Sequence, residues 1–409
     1  MFDYALIWDW LAFVTRWVHV ITAMAWIGAS FFFIALDLGL RKAATMPEGV
    51  HGEEWQVHGG GFYHIQKYLV APENMPEHLI WHKWQSYMTW VSGATLLMII
   101  YWAGGEIFLL DPSKAELTLW QGVLISAASL TIGWILYDLM CKSKLGERPT
   151  LLMLLLFVIL VVMSWGYNQI FTGRAALLHL GAFTATIMTA NVFFIIMPNQ
   201  RIVVKDLKEG RTPDAKYGKI AKLRSTHNNY LTLPVIFLML STHYPLSFGT
   251  EYSWVIASLV FLTGVTIRHY FNTLHATGHG PRWTWAATVA LMALIAWLST
   301  FSGTETYEQA EARALTPAEQ KFAAAPGFLD AFDTVVGNCS MCHAREPFWD
   351  GVPRAPKGIY LETEADVAHY AERIYLNAGL SHAMPPPNAV EMDGESRSII
   401  VAWYRAARE

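Results

Sequence analysis

The sequence predicts an all-α fold, a polytopic membrane protein of eight transmembrane helices followed by a small polar domain. Hydrophobic residues make up 54% of the 409 residues and charged residues only 15%, whereas a soluble chain carries about a quarter charged residues. Apolar runs of about 20 residues, the length that crosses a bilayer, recur along the first three quarters of the chain. The net charge of −4 gives no sign of nucleic-acid binding.

The apolar runs define the predicted membrane elements. They cover residues 7–38, 82–104, 117–140, 150–172, 174–198, 227–247, 252–275 and 283–303. We therefore expect a transmembrane domain over residues 1–304. Lysine and arginine are concentrated in the connections 39–80, 141–149 and 199–226 and are rare in the alternate connections. Because basic loops face the cytoplasm, both termini are expected in the periplasm, with the chain in a bacterial inner membrane.

The transmembrane domain also shows signs of an internal repeat. "HVITAMAWIGASFFFIALDL" begins at His19, and "HLGAFTATIMTANVFFIIMP" begins at His179. Each segment precedes a basic connection and a further span that opens with histidine, His82 in one half and His227 in the other. We interpret the domain as two parallel four-helix halves. Shared membrane composition is the alternative explanation.

The polar C-terminal region divides into a tether and a domain. Residues 305–326 have the composition of a helical, partly mobile tether, and residues 327–409 form the predicted domain. Phe328 and Phe332 of its first helix are expected to pack against Trp403 and Tyr404 of its last. Because roughly 80 residues make a small core, a bound apolar group is expected to complete it.

The segment "CSMCH" at 339–343 indicates what that group is. C-x-x-C-H is the pattern that attaches a c-type haem covalently. Cys339 and Cys342 lie three residues apart on one helical face and can form thioethers to the haem, while His343 reaches the iron. Zinc is the alternative for these cysteines, but the sequence offers no second thiol pair for a zinc site. The motif predicts a class I-like cytochrome c domain, which in bacteria is assembled in the periplasm.

The second axial ligand of the iron is expected downstream of the motif. Met384 lies in "SHAMPPPN", where prolines 385–387 stiffen the loop that presents it. A histidine–methionine pair raises the reduction potential of the haem. Met392 and His382 are the competing candidates.

Ionisable residues within the spans are the candidates for chemistry in the membrane, because they are costly there and usually functional. His19 and His179 occupy corresponding places in the two halves, so they could bind one haem b between them. Packing through interhelical hydrogen bonds is the alternative role. Among residues near the cytoplasmic ends of the spans, the candidates for binding a substrate, a metal or a haem are His82, His227, Arg268, His269, Asn272 and His275. Arg268 and Asn272 lie one helical turn apart and therefore share a face of the helix.

Over essentially its full length the chain resembles a known family. The opening "WDWLAFVTRWVHVITAMAWIGASFFFIALD", the loop with "HGGGFYHIQKY" and "PEHLIWHKWQSYMTWVSG", and the terminal C-x-x-C-H domain are similar to the membrane-bound cytochrome c urate oxidases of bacteria. The resemblance implies hydroxylation of urate to 5-hydroxyisourate. The resemblance also implies that electrons leave through the haem c to a terminal oxidase or soluble cytochrome, without formation of hydrogen peroxide.

Two other functions stay open at the level of sequence. The chain could be an electron-transfer subunit that oxidises quinol through an intramembrane haem, or a cytochrome-bearing transporter or sensor. The catalytic residues, the oligomeric state and the electron acceptor are not determined by the sequence.

Overall fold

In the computed structural model most of the chain is helical, as the all-α prediction requires. The structure describes residues 4–68, 76–301, 306–350, 352, 354–386 and 390–408. Glu305 of the predicted tether and Pro387 of the predicted methionine loop lie outside the described residues. The helices of the first three quarters are α1 Tyr4–Gly39, α2 Trp84–Leu97, α3 Gly105–Phe108, α4 Leu119–Lys142, α5 Pro149–Asn168, α6 Gly173–Ala190, α7 Met197–Lys208, α8 Ala215–Leu240, α9 Ser253–Thr277 and α10 Trp283–Phe301.

Among the described residues, six helices are long and apolar enough to cross a membrane. They lie at six of the eight predicted spans and are Tyr4–Gly39, Leu119–Lys142, Pro149–Asn168, Gly173–Lys208, Ser253–Thr277 and Trp283–Thr300. The fourth of them is continuous because a π-helical segment, Asn191–Ile196, joins α6 to α7. The chain is therefore a membrane protein by the length and composition of its helices.

The other two predicted spans are helical, but neither is among the helices identified as membrane-spanning by length and composition. Residues 82–104 contain α2, which continues only through a short π-helical segment, Met98–Trp102. Residues 227–247 begin inside α8, whose polar run from Arg224 to Asn229 lowers its mean hydropathy. The structure therefore supports six spans directly, while eight remains a prediction.

The membrane helices pack around α6. Its side chains are mostly buried, whereas α1 and α10 present large apolar side chains outward, Trp8, Trp10 and Trp17 of α1 among them. Gly133 of α4 is one reason for the close packing, because a Cβ there would overlap the ring of Phe183 on α6. This arrangement is expected of a bundle whose outer helices face lipid.

The long connection after α1 folds into a β-hairpin, which the all-α prediction did not contain. Strands β1 (Val50–His58) and β2 (Gly61–Tyr68) pair antiparallel. The turn between them has positive φ at Gly59 and Gly60, which is the conformation of a type I′ turn and favours glycine. A run of polar and aromatic residues without helical periodicity thus formed a strand pair because the glycines allow a tight turn.

The C-terminal residues form a second, separately packed unit. Its helices are α11 Tyr307–Glu311, α12 Pro317–Ala323, α13 Phe328–His343, α14 Glu364–His369, α15 Ala371–Ile374 and α16 Gly394–Ala406, with a π-helical segment at Tyr375–Leu380. The predicted contact between its first and last helices is present, since the rings of Phe328 and Trp403 lie 5.8 Å apart. Trp403 is also held by a hydrogen bond from its indole N–H to the carbonyl of Phe322, at 2.9 Å.

The predicted tether over 305–326 is partly helical, and its second half packs into the C-terminal unit. Phe322 and Glu319 of α12 are buried in the C-terminal unit, and Phe322 stacks on Tyr404 at 5.7 Å. The unit therefore starts well before residue 327. The polar composition of this segment gave no indication that Phe322 and Glu319 would be buried, because their burial depends on packing against distant parts of the chain.

The two units touch at one end of the membrane helices. Arg373 of α15 donates to Asp9 of α1 at 2.9 Å, and Gly358 lies against Pro245, which follows α8. We call this the docking end. The opposite end carries the hairpin, where Lys67 pairs with Asp37 and Arg41 donates to the carbonyl of His275. We call it the hairpin end.

Candidate functional sites

The helices α8, α9 and α1 bring four side chains together toward the hairpin end. Arg268 of α9 donates through Nε to Oδ1 of Asn229 at 3.2 Å and through Nη2 to Oδ1 of Asn272 at 2.9 Å. The amide of Asn272 donates to the same Asn229 oxygen at 2.9 Å. The guanidinium carbon of Arg268 lies over the ring of Phe31, 4.2 Å from the ring centroid. We call Arg268, Asn229, Asn272 and Phe31 the Arg268 site.

The charge of Arg268 is buried and has no counter-ion. Its side chain is only 7% exposed, and among the described residues no carboxylate pairs with it. A buried guanidinium without a partner charge costs several kcal/mol. The same site leaves the Nδ2 donor of Asn229, itself fully buried, without an acceptor among the described residues. A cation and an unused donor that share one buried site are suited to a planar anion with oxygen acceptors.

The sequence predicted half of this site. Arg268 and Asn272 were expected to share a helical face, and they do. Asn229 and Phe31 were missed, because no spacing in the chain relates α8 or α1 to α9. The signal that was available for Asn229 is the pair of adjacent asparagines at 228–229, which is unusual within a predicted span.

The histidines predicted beside Arg268 do not join it. The ring of His269 lies 6.2 Å from that of Trp283, and the ring of His82 packs on Phe33 at 5.0 Å. His275 provides its backbone carbonyl to Arg41. No hydrogen bond within the described part of the chain connects these imidazoles to Arg268, so their role stays a prediction.

His227 belongs to a different network. Its Nδ1 lies 2.7 Å from the hydroxyl of Tyr137, while Asn191 of the π-helical segment joins that hydroxyl to Arg224. Arg224 pairs with Asp138 at 2.6 Å. His227 and Asn229 are two residues apart on a helix and therefore point in nearly opposite directions. Because Asp138 neutralises Arg224, this network has the character of a compensated structural ion pair, unlike the Arg268 site.

The two histidines predicted to bind haem b are held by hydrogen bonds. His179 is completely buried, with Nε2 2.8 Å from Oγ of Ser126 and Nδ1 2.8 Å from the carbonyl of Ala175. His19 uses Nδ1 for the carbonyl of Thr89, at 2.9 Å. An axial ligand needs a nitrogen lone pair directed at the iron, so His179 would have to exchange one of its bonds. The geometry favours the packing role for His179.

The haem-attachment motif occupies the last turn of α13. Cys339 and Cys342 lie there one turn apart, and His343 is the final residue of the helix. Nδ1 of His343 lies 2.8 Å from the carbonyl of Ile359. A bond of this kind fixes the ring and leaves Nε2 available to a metal.

The predicted methionine ligand lies on a loop that is held in place. The side chain of Met384 is 41% exposed, and its backbone N–H donates to the carbonyl of Asn377 at 2.9 Å. Arg397 donates to the carbonyls of Ala378, Ser381 and Met384. Met392, the weaker candidate, is buried in the core of the unit. The two thiols, His343 and Met384 thus have the donor atoms that a c-type haem requires.

A metal bound elsewhere finds no support in the described residues. Within them, no group of three or more histidine, cysteine, aspartate or glutamate side chains could hold an ion. The metal considered for the spans therefore has no pre-formed ligand set in the structure.

Comparison with known proteins identifies a family. The family model described as urate oxidase N-terminal matches residues 5–299. No curated protein and no solved structure matches the chain. The matched residues contain the whole Arg268 site and end before the C-terminal unit, so the comparison bears on the membrane helices and leaves the C-x-x-C-H motif to be argued from its own residues.

Proposed function

Because the chain belongs to the urate oxidase N-terminal family, we propose that its membrane helices oxidise urate to 5-hydroxyisourate and that the electrons leave through a covalently bound haem c. Family membership indicates a urate-related oxidation. The observation that carries the finer proposal is the buried, uncompensated charge of Arg268 inside the matched region. Urate at neutral pH is a planar monoanion and would supply the missing counter-ion.

The donors of the Arg268 site match the edge of a urate ion. The guanidinium offers a fork of N–H groups to neighbouring oxygen or nitrogen acceptors, and the unused Nδ2 of Asn229 offers another donor. Phe31 provides an aromatic wall, as planar ligands prefer. Binding energy of this kind fixes the orientation of the purine before the chemistry begins.

The reaction adds the oxygen of water to C5 of urate and releases two electrons and two protons. A general base must take a proton from water or from the purine, and a neutral imidazole is the natural candidate. His82, His269 and His275 are the histidines proposed for this step from their place in the sequence, and no contact in the structure selects among them.

The C-terminal unit provides the exit for electrons. We assign Cys339 and Cys342 to the thioether bonds and His343 and Met384 to the iron. When bound, a haem held in this way supplies a one-electron acceptor, so each urate requires two successive transfers. Onward transfer to a respiratory terminal oxidase or a soluble cytochrome avoids hydrogen peroxide.

The proposed architecture has eight spans, arranged as two four-helix halves, in a bacterial inner membrane. In the proposed orientation the basic connections face the cytoplasm, so that the hairpin end is cytoplasmic and the docking end periplasmic. The Arg268 site and the haem motif then lie toward opposite faces of a bilayer whose hydrocarbon core is about 30 Å thick. An electron carrier between them is part of the proposal. The candidate from the sequence, a haem b on His19 and His179, would require His179 to give up its bond to Ser126 or to Ala175, and a pyridine haemochrome assay on the purified chain tests for it.

The test is anaerobic reduction of the haem c by urate. Purified protein mixed with urate should develop the spectrum of the reduced haem, and Arg268→Gln should lower the rate at limiting urate by roughly 100-fold, because a charged hydrogen-bonding partner contributes about 3 kcal/mol. Arg282→Gln removes an exposed arginine from the same end of the molecule and should leave the rate unchanged. Indifference to urate together with reduction by a quinol analogue would establish the electron-transfer subunit instead.

A further inference from the structure

Three arginines from different elements lie within electrostatic range of one another where the two units touch. Arg16 of α1 lies within electrostatic range of Arg174, in the first turn of α6, and of Arg373, on α15. We call these the arginine cluster. The neighbouring carboxylate among the described residues is Asp9, which is partly exposed and pairs with Arg373. Three positive charges thus share one carboxylate at the docking end.

This cluster is incomplete as it stands. Nε of Arg174 is buried and finds no acceptor among the described residues, although the side chain of Arg174 is hydrogen-bonded to the phenol of Tyr101, which is not a carboxylate. The first turn of a helix carries positive partial charge, so an arginine at the start of α6 is placed unfavourably. Like charges in a partly buried interface repel one another strongly. An anionic group between the units would remove both costs.

The segment that holds His343 reaches the contact between the two units. His343 is held by the carbonyl of Ile359, and the residue before it, Gly358, lies against Pro245 of the membrane unit. Lys357 and His243 interact across the same contact, and His243 also interacts with Arg16 and Arg174. The segment that orients the iron ligand is therefore seated beside the arginines.

We propose that the arginine cluster binds the propionate carboxylates of the haem c, so that residues of the membrane unit hold and tune a cofactor attached to the C-terminal unit. A haem joined to the protein through its vinyl groups carries its two negative charges on the propionates, at the other edge. Arginine forks are the strongest carboxylate partners in proteins. Cations there also favour the reduced haem, which carries one positive charge fewer than the oxidised haem, and this raises its midpoint potential.

The inference rests on the proposed haem attachment but not on urate as substrate. It is tested by a redox titration of the full-length holoprotein with chemical mediators and without urate. Arg16→Gln and Arg174→Gln should each lower the midpoint potential of the haem c, and Asp9→Asn, which removes the negative charge, should raise it. Arg405→Gln removes an exposed arginine of the C-terminal unit and should leave the potential unchanged.

A direct contact is separated from a general field effect by resonance Raman spectroscopy. Arg174→Gln should shift the propionate bending band of the haem, whereas Arg405→Gln should not. Haem content and the visible spectrum show whether each variant folds and retains its ligands. Unchanged potentials in both cluster variants with full haem content would overturn the proposal. So would an unmoved propionate band accompanied by a raised KM for urate, because the cluster would then be binding substrate.

Discussion

At the scale of single residues, Arg224 and Arg268 differ in what neutralises them. Both are buried in the hairpin-end half of the membrane unit, at 2% and 7% exposure. Arg224 pairs with Asp138, whereas Arg268 is surrounded by two amides and a phenyl ring. A paired buried charge is consistent with structure alone, and an unpaired one calls for a ligand. This difference singles out Arg268.

A carboxylate introduced beside Arg268 should therefore replace the ligand. In Asn229→Asp the new side chain would pair with the guanidinium internally, so the KM for urate should rise by about tenfold or more, while the protein becomes no less stable. Urate-dependent haem reduction and thermal unfolding measure the two effects. Gln200→Glu makes the matched exchange at an exposed position and should change neither. Unaltered urate kinetics in Asn229→Asp would remove Asn229 from the site.

At the scale of elements, α12 shows how a polar segment becomes part of a core. Glu319 is 1% exposed and accepts bonds from Arg313 at 3.0 Å and from His369 at 2.9 Å. Burial acts to raise the pKa of Glu319, but the bonds from His369, Arg313 and the Thr316 backbone outweigh it and hold the pKa at about 2. The helix is thus tied to α14 through one carboxylate as well as through Phe322.

The depressed pKa of Glu319 predicts an acid-sensitive C-terminal unit. The ordinary value is near 4.5, so the unfolded chain binds a proton at a pH where the folded chain does not. The stabilisation is complete above about pH 4.5, amounts to about 3 kcal/mol, and is lost as the pH falls toward 2.

Thermal unfolding of the full chain, followed through the visible absorbance of the haem, measures this effect. Glu319→Gln should lower the melting temperature at pH 7, and its difference from the wild type should narrow at pH 3. Glu346→Gln, at an exposed position, serves as the control. A difference that is the same at both pH values would show that the carboxylate charge is not what stabilises α12.

At the scale of the whole molecule, the two ends of the helical bundle hold different candidate sites. The docking end seats the unit with the C-x-x-C-H motif, and the Arg268 site lies toward the hairpin end. A purine catabolite formed inside the cell would reach the hairpin end directly if the basic connections face the cytoplasm. The electrons would emerge on the opposite side, where c-type haems are attached.

This orientation predicts which positions a membrane-impermeant thiol reagent can reach. Ser113→Cys, in the exposed connection before α4, should be labelled in intact cells, and His58→Cys, at the exposed tip of the hairpin, only after the inner membrane is permeabilised. Wild-type protein controls for Cys141 and the haem cysteines. Labelling of His58→Cys in intact cells would reverse the topology.

The sequence by itself determined the features that depend on short spacings. The C-x-x-C-H motif, six of the membrane helices and the shared face of Arg268 and Asn272 all follow from residues within one helix or one motif, where geometry is nearly independent of the rest of the chain. Arg268 and Asn272 could therefore be proposed together before any fold was known.

Only the tertiary structure decided the features that join distant segments. Asn229 and Phe31 reach Arg268 from other helices, Ile359 holds His343, and Arg16 meets Arg174 and Arg373 across the contact between the units. The same packing placed Glu319 in a core rather than in a tether. Burial and electrostatic compensation depend on which helices become neighbours, and no local pattern in the chain encodes that choice.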